Sequence, residues 1–120
     1  MAMMDIWTYR EPTWAGTDLS GFSVEALDGG IGHVHEATNE VGGSYVVVDT
    51  GPWIFGKKVL IPAGAIDRVH VDEKKVFVDR TKDEIKDAPE FDESRLSDPS
   101  YREQFGGYYA SLGGARDVQV

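Results

Sequence analysis

The stretch DTGPWIFGKKVLIP, Asp49 to Pro62, decides how the rest of the chain is read. It begins where a valine-rich run, Tyr45-Val46-Val47-Val48, ends at Asp49. A turn signal follows at Gly51-Pro52. Three large apolar residues, Trp53, Ile54 and Phe55, then stand where a polar loop would be expected. KKVLIP resumes an extended pattern and stops at a proline, which suits the end of a strand. The segment therefore predicts two strands joined by an apolar loop. That loop either closes a core or binds something.

Working outward, the same rhythm recurs on both sides. GFSVEAL alternates Phe22, Val24 and Ala26 with Ser23 and Glu25, the period-two pattern of a half-buried strand. Asp28-Gly29-Gly30 is a tight-turn signal, because glycines accept positive φ. IGHVHEA returns as a strand with His33 and His35 on the face opposite Val34. SYVVVDT is β-branched and mostly apolar, which predicts cover on both faces. In AIDRVHV the alternation breaks once between Ile66 and Val69, the mark of a bulge or a change of strand. DEKK turns the chain, and KVFVDR returns with Val76 and Val78 on one face. Six short strands with closely spaced turns predict a mainly β fold, a small barrel or sandwich, over residues 17–80.

The flanks differ in texture. Residues 1–16 hold Trp7, Tyr9 and Trp14 and predict an extended segment whose aromatics dock on the main body. Residues 81–120 change to a helical period. Thr81 with Glu84 has the capping-box spacing, so a helix is expected from Lys82 to about Asp87, ended by Pro89. A second helix is expected after Ser97, with Pro99 in its first turn, running through Tyr101, Arg102 and Phe105 until Gly106-Gly107 stops it. Ile85, Phe91, Leu96 and Phe105 would face inward, covering one barrel opening in cis or across a dimer. Between Asp83 and Glu103 stand eight acidic and three basic residues, which is five of the chain's net −9. The acidity sits mainly on this tail.

Composition bounds function. A chain of 120 residues is one domain's length. The absence of cysteine excludes disulfides, thiol catalysis and thiolate metal sites. The net charge opposes phosphate-backbone binding and favours solubility or a basic protein partner. No signal pattern opens the chain, and no stretch reaches the roughly 20 apolar residues of a spanning helix. A cytoplasmic protein with no membrane and no nucleic-acid partner is expected.

The ordered set Gly21-x-x-Val24, Asp28-Gly29-Gly30-Ile31-Gly32-x-Val34, the strand Tyr45–Val48, the block Phe55–Pro62, then Ile66 and Val69 resembles the PRC-barrel family. That family includes the cytoplasmic domain of the photosynthetic reaction-centre H subunit and the C-terminal half of the ribosome maturation factor RimM. With the flanking DIWTYR, VDRTKDEIKDAPEFD and YREQFGGYY, the chain looks like the stand-alone bacterial members. The resemblance implies a small PRC-type β-barrel and a role in assembly or interaction, with no shared catalytic set. The acidic charge and the lack of a partner domain or membrane anchor argue against ribosomal and photosynthetic roles.

Candidate chemistry is sparse. His33, His35 and His70 lack any G-x-S-x-G or H-E-x-x-H context. His33 and His35 share a strand face. A metal there would need a third ligand such as Glu36 or Asp49, so no metal and no cofactor is assigned. GGIGH lacks the lysine and spacing of a phosphate loop. Lys57-Lys58 and Lys74-Lys75 suit solvated turn or strand positions. The apolar triplet is the interaction candidate. Phe55 belongs to the strand block and packs inside. Trp53 either fills the barrel mouth or anchors a homodimer or another protein. The expected function is a non-enzymatic, self-associating, protein-binding module. The alternatives are a small-ligand or metal-binding barrel near Trp53 and His33/His35, and an RNA-associated factor.

Overall fold

A computed structural model describes residues 6, 7, 9, 10, 14, 16–38, 44–51 and 57–118, with side chains as far as residue 110. Six strands form one mixed sheet: β1 (Ser23–Ala26), β2 (Gly29–Ala37), β3 (Tyr45–Asp49), β4 (Lys58–Pro62), β5 (Ile66–His70) and β6 (Lys75–Val78). Each falls within a segment that the sequence predicted to be a strand. Two helices follow, α1 (Lys82–Lys86) and α2 (Pro99–Val118), with a 3-10 turn at Glu93–Arg95 between them. The fold is mainly β with a helical tail.

The strand order is β4-β3-β2-β1-β6-β5. All neighbours are antiparallel except β1 and β6, which pair in parallel through Ser23–Lys75, Val24–Val76 and Glu25–Phe77. The ladder is not closed between β4 and β5, the two outer strands. Yet only the 3-10 turn Ala63–Ala65 separates them in the chain. Edges of a six-stranded sheet joined by three residues must curl towards one another, so the sheet is barrel-like with its seam bridged at one corner. That corner is buried throughout.

The broken alternation at Ile66 is a register shift between Ile66 and Arg68, so the bulge is real. Two further shifts, between Val24 and Glu25 and between Val34 and Glu36, tighten the curl. The β1–β2 turn consists of Leu27 and Asp28. Gly29 and Gly30 already belong to β2 rather than to the turn expected at Asp28–Gly30. Gly32 is required for another reason: an added Cβ would lie 2.0 Å from Asp49 O. Its φ of +145° is also one that other residues avoid. The backbones of β2 and β3 approach too closely there for any side chain.

The core runs through all three sequence zones. Val24, Ile31, Val34, Val46, Val48, Leu60, Ile61, Ile66, Val76 and Val78 contribute from the strands, Leu19 and Phe22 from the lead into β1, and Ile85, Tyr101, Phe105 and Tyr109 from the tail. Val46, Val47 and Val48 are all buried, so β3 is covered on both faces as its apolar run predicted. Tyr9 is buried, and Trp7 and Trp14 pack against the cluster. Arg10 fastens this N-terminal segment to the seam. Its Nε donates to Gly64 O at 3.0 Å, and its other nitrogens reach Asp67 and Asp79, each at 3.3 Å. Gly64 N–H in turn donates to Ile6 O, and Ser44 N–H to Trp7 O.

The tail corrects one expectation. α1 begins with the full Thr81–Glu84 capping box, as its spacing predicted. α2 starts at Pro99 but runs through Gly106-Gly107 to Val118. Gly106 is not a stop signal. A Cβ there would meet Trp7 Nε1 at 2.7 Å, so the glycine lets α2 lie against the N-terminal tryptophan. The helix is held by Tyr108 Oη donating to Glu84 O at 2.6 Å and by the fully buried Arg80, whose guanidinium donates to Tyr109 O at 2.7 Å. Ile85 and Phe105 are buried and Phe91 and Leu96 half-buried, all turned to the core as expected.

Candidate interaction surface

The predicted triplet Trp53-Ile54-Phe55 lies outside the described residues. The base of its loop is within them. Thr50 is buried, and its hydroxyl donates to Lys57 O at 2.8 Å. Asp49 Oδ1 accepts from Gly51 N–H at 3.0 Å, and Gly51 takes the left-handed φ of +55° that the turn signal implied. The two ends of the loop are thereby pinned together.

Register brings together residues that the sequence keeps far apart. His70 pairs with Lys75, Lys75 with Ser23, Ser23 with His33, His33 with Asp49, and Asp49 with Lys58. Register partners point to the same face of a sheet. These six side chains therefore form one row across all six strands. His33, Asp49 and Lys58 are exposed, and the other three are half-buried. A second row runs Arg68, Phe77, Glu25 and Gly30. Here Arg68 lies over the Phe77 ring at 4.5 Å, and His70 meets the same ring edge-on at 5.0 Å. Phe77 thus carries a cation and an imidazole on a partly open surface.

The order Ser23–His33–Asp49 within the first row imitates a hydrolytic triad in composition alone. No side-chain hydrogen bond joins the three, and the Asp49 carboxylate already accepts from Gly51 N–H. A nucleophile and its base must be within hydrogen-bond reach. His35 is the extra residue of the β2 bulge, exposed and without a register partner on β3. Among the described residues, no group of three or more His, Asp or Glu side chains is placed to hold a metal ion. His70 faces Glu73 at 3.5 Å and is partly exposed.

The inside of the curled sheet is filled by the core side chains. Among the described residues, surface depressions lie beside His70, Val71, Asp72 and Glu73 and beside Tyr9, Gly16, Thr17, Asp18, Leu19, Ala37 and Thr38. Both helices pack against β4. The acidic strap between them is fastened just ahead of β4, where Glu90 bridges Lys57, the neighbour of Lys58, at 2.8 Å. Neither row was singled out by sequence reading. Alternation assigns a residue to a face but does not name its lateral neighbour, and the β1–β6 pairing joins segments some fifty positions apart.

Tyrosines mark how closely the tail and N-terminal segment are sealed. Burial raises the Tyr9 hydroxyl to about 12, while it donates to Thr38 O. Burial likewise raises Tyr101, Tyr108 and Tyr109.

A family model for the PRC-barrel domain matches residues 15–85, more than half of the chain and all six strands. The chain belongs to the PRC-barrel family. No curated protein matches it at a significant level. No helix among the described residues is long and apolar enough to cross a membrane.

Proposed function

We propose that this PRC-barrel is a non-enzymatic assembly module that works in the cytoplasm by associating with itself and with another protein. The supporting observation is the division of the molecule. Its inside is occupied by its own side chains, and its distinctive groups lie in two rows on an outer sheet face. A filled interior leaves recognition to the surface. The partly open Phe77 with Arg68 over its ring offers the aromatic and arginine pair that protein interfaces favour. The net charge of −9 disfavours nucleic acid. In the sequence the apolar triplet Trp53–Phe55 follows the pinned Asp49–Gly51 turn, and it would supply the apolar anchor such a surface needs.

Light scattering after size exclusion at micromolar concentration tests self-association, and the expected mass is that of a dimer. A monomer at every concentration would remove that half of the reading. Affinity purification from the host with wild type and Trp53→Ala tests the other half. The expected outcome is a recovered protein whose yield drops with the variant.

A further inference from the structure

We infer that residues 6–10 and α2 form one latch over the outer face of β3 and β4, released as a unit and never singly. The observation is a sheet face that is open at one end and closed at the other. Tyr45–Pro62, Val47–Leu60 and Asp49–Lys58 pair across β3 and β4 without a register shift, so these side chains share a face. Asp49 and Lys58 are exposed, whereas Val47 and Leu60 are 2% and 1% exposed. The tail and the N-terminal segment meet at the closed end. α2 packs against β4, and Trp7 meets the Tyr45 ring edge-on at 6.3 Å.

Trp7 is the shared part. It touches the sheet through Tyr45 and α2 through two residues one helical turn apart. Arg102 lies over its ring at 4.9 Å, and Gly106 leaves room for its Nε1. Without α2, the tryptophan would lose that cover. Without Trp7, α2 would close over a void, and voids are costly. Each segment is therefore held mainly in the other's presence. Nor can α2 persist undocked. It contains Gly106, Gly107, Gly113 and Gly114, and glycines weaken a helix that has no packing partner. Its release means its unfolding, and the strip of Tyr45, Val47 and Leu60 then joins the open end of the face. The device is independent of self-association.

Hydrogen exchange of single backbone amides in the whole chain tests this. Ser44 N–H donates to Trp7 O and Gly64 N–H to Ile6 O, so both report docking of the N-terminal segment. The amides of Phe105 and Gly106 report α2, and Val34 N–H, bonded to Phe22 O, reports the sheet. Arg10→Met loosens the N-terminal segment at a residue bonded to Gly64, Asp67 and Asp79, none of them on α2. Tyr108→Phe loosens α2 by removing its bond to Glu84 O. Either variant is expected to speed Ser44, Gly64, Phe105 and Gly106 by a common factor of about five, the worth of one hydrogen bond, and to leave Val34 unchanged. Acceleration confined to the substituted segment would overturn the latch. An equal acceleration of Val34 would also overturn it, because opening would then be global unfolding. So would a variant that speeds none of these amides.

Discussion

A methyl group on Gly32 would sit 2.0 Å from Asp49 O and 2.9 Å from two further backbone atoms of Asp49 and Thr50. Backbone cannot move aside as a flexible side chain can. Gly32→Ala is therefore expected to cost several kcal/mol, about what a severe core substitution costs. Gly21 supplies the contrast, with a positive φ of +82° but open space around it. Gly21→Ala carries only the left-handed penalty of about 1–2 kcal/mol. Guanidinium denaturation of both variants checks the difference. The sequence shows both glycines equally plainly. It does not show that one faces a neighbouring backbone and the other faces solvent, because that depends on the β2–β3 register. Arg80 is the reverse case. As an arginine at a strand end it is inconspicuous, yet it is 1% exposed and donates to a helix carbonyl from within the core. Arg80→Met removes that donor and is expected to cost about 1–3 kcal/mol. Faster amide exchange should be confined to residues near Tyr109.

Among the elements, α2 best separates local from tertiary signals. Gly106-Gly107 carries the local signature of a helix end, and the helix passes through it. Glycine inside a helix costs about 1 kcal/mol relative to alanine. Gly107 has nothing within 4 Å of an added Cβ, so Gly107→Ala is expected to stabilise the protein by up to about that amount. Gly106→Ala should give no such gain, because its methyl group would push on Trp7. Thermal melts of the two single variants check this. Where local and tertiary demands agree, the sequence was legible: the Thr81–Glu84 box, Pro99 at the first position of α2, and the bulge after Ile66 are all in place. Thr81→Ala, which removes the cap, is expected to cost about 1 kcal/mol.

At the scale of the whole molecule, four tyrosines couple stability to alkaline pH. Tyr9, Tyr101, Tyr108 and Tyr109 all hold their protons more tightly when folded, because burial penalises the phenolate. A folded hydroxyl pKa above the unfolded value means that the native state binds more protons at alkaline pH. Stability is then complete below about pH 10 and falls as pH rises towards about 12, where Tyr9 titrates in the folded state. Melting temperature should drop across this window, and tyrosinate absorbance should rise together with unfolding rather than before it. The strand set was readable from alternation, from the β-branched run of β3 and from the turn signals between strands. The row His70–Lys75–Ser23–His33–Asp49–Lys58 was not, because it depends on one parallel pairing between remote segments. The same pairing bears on how quickly the barrel assembles. The hairpins β1–β2, β2–β3, β3–β4 and β5–β6 need only short excursions of the chain, whereas β1 must find β6 across everything between. The buried corner at Ala63–Ala65 already tethers the β4 arm to the β5 arm, so the search that remains is for a single docking event. That event is expected to set the folding rate. Trimming Val24 or Val76 should slow refolding, whereas trimming Phe105 should chiefly hasten unfolding, which stopped-flow measurements would distinguish.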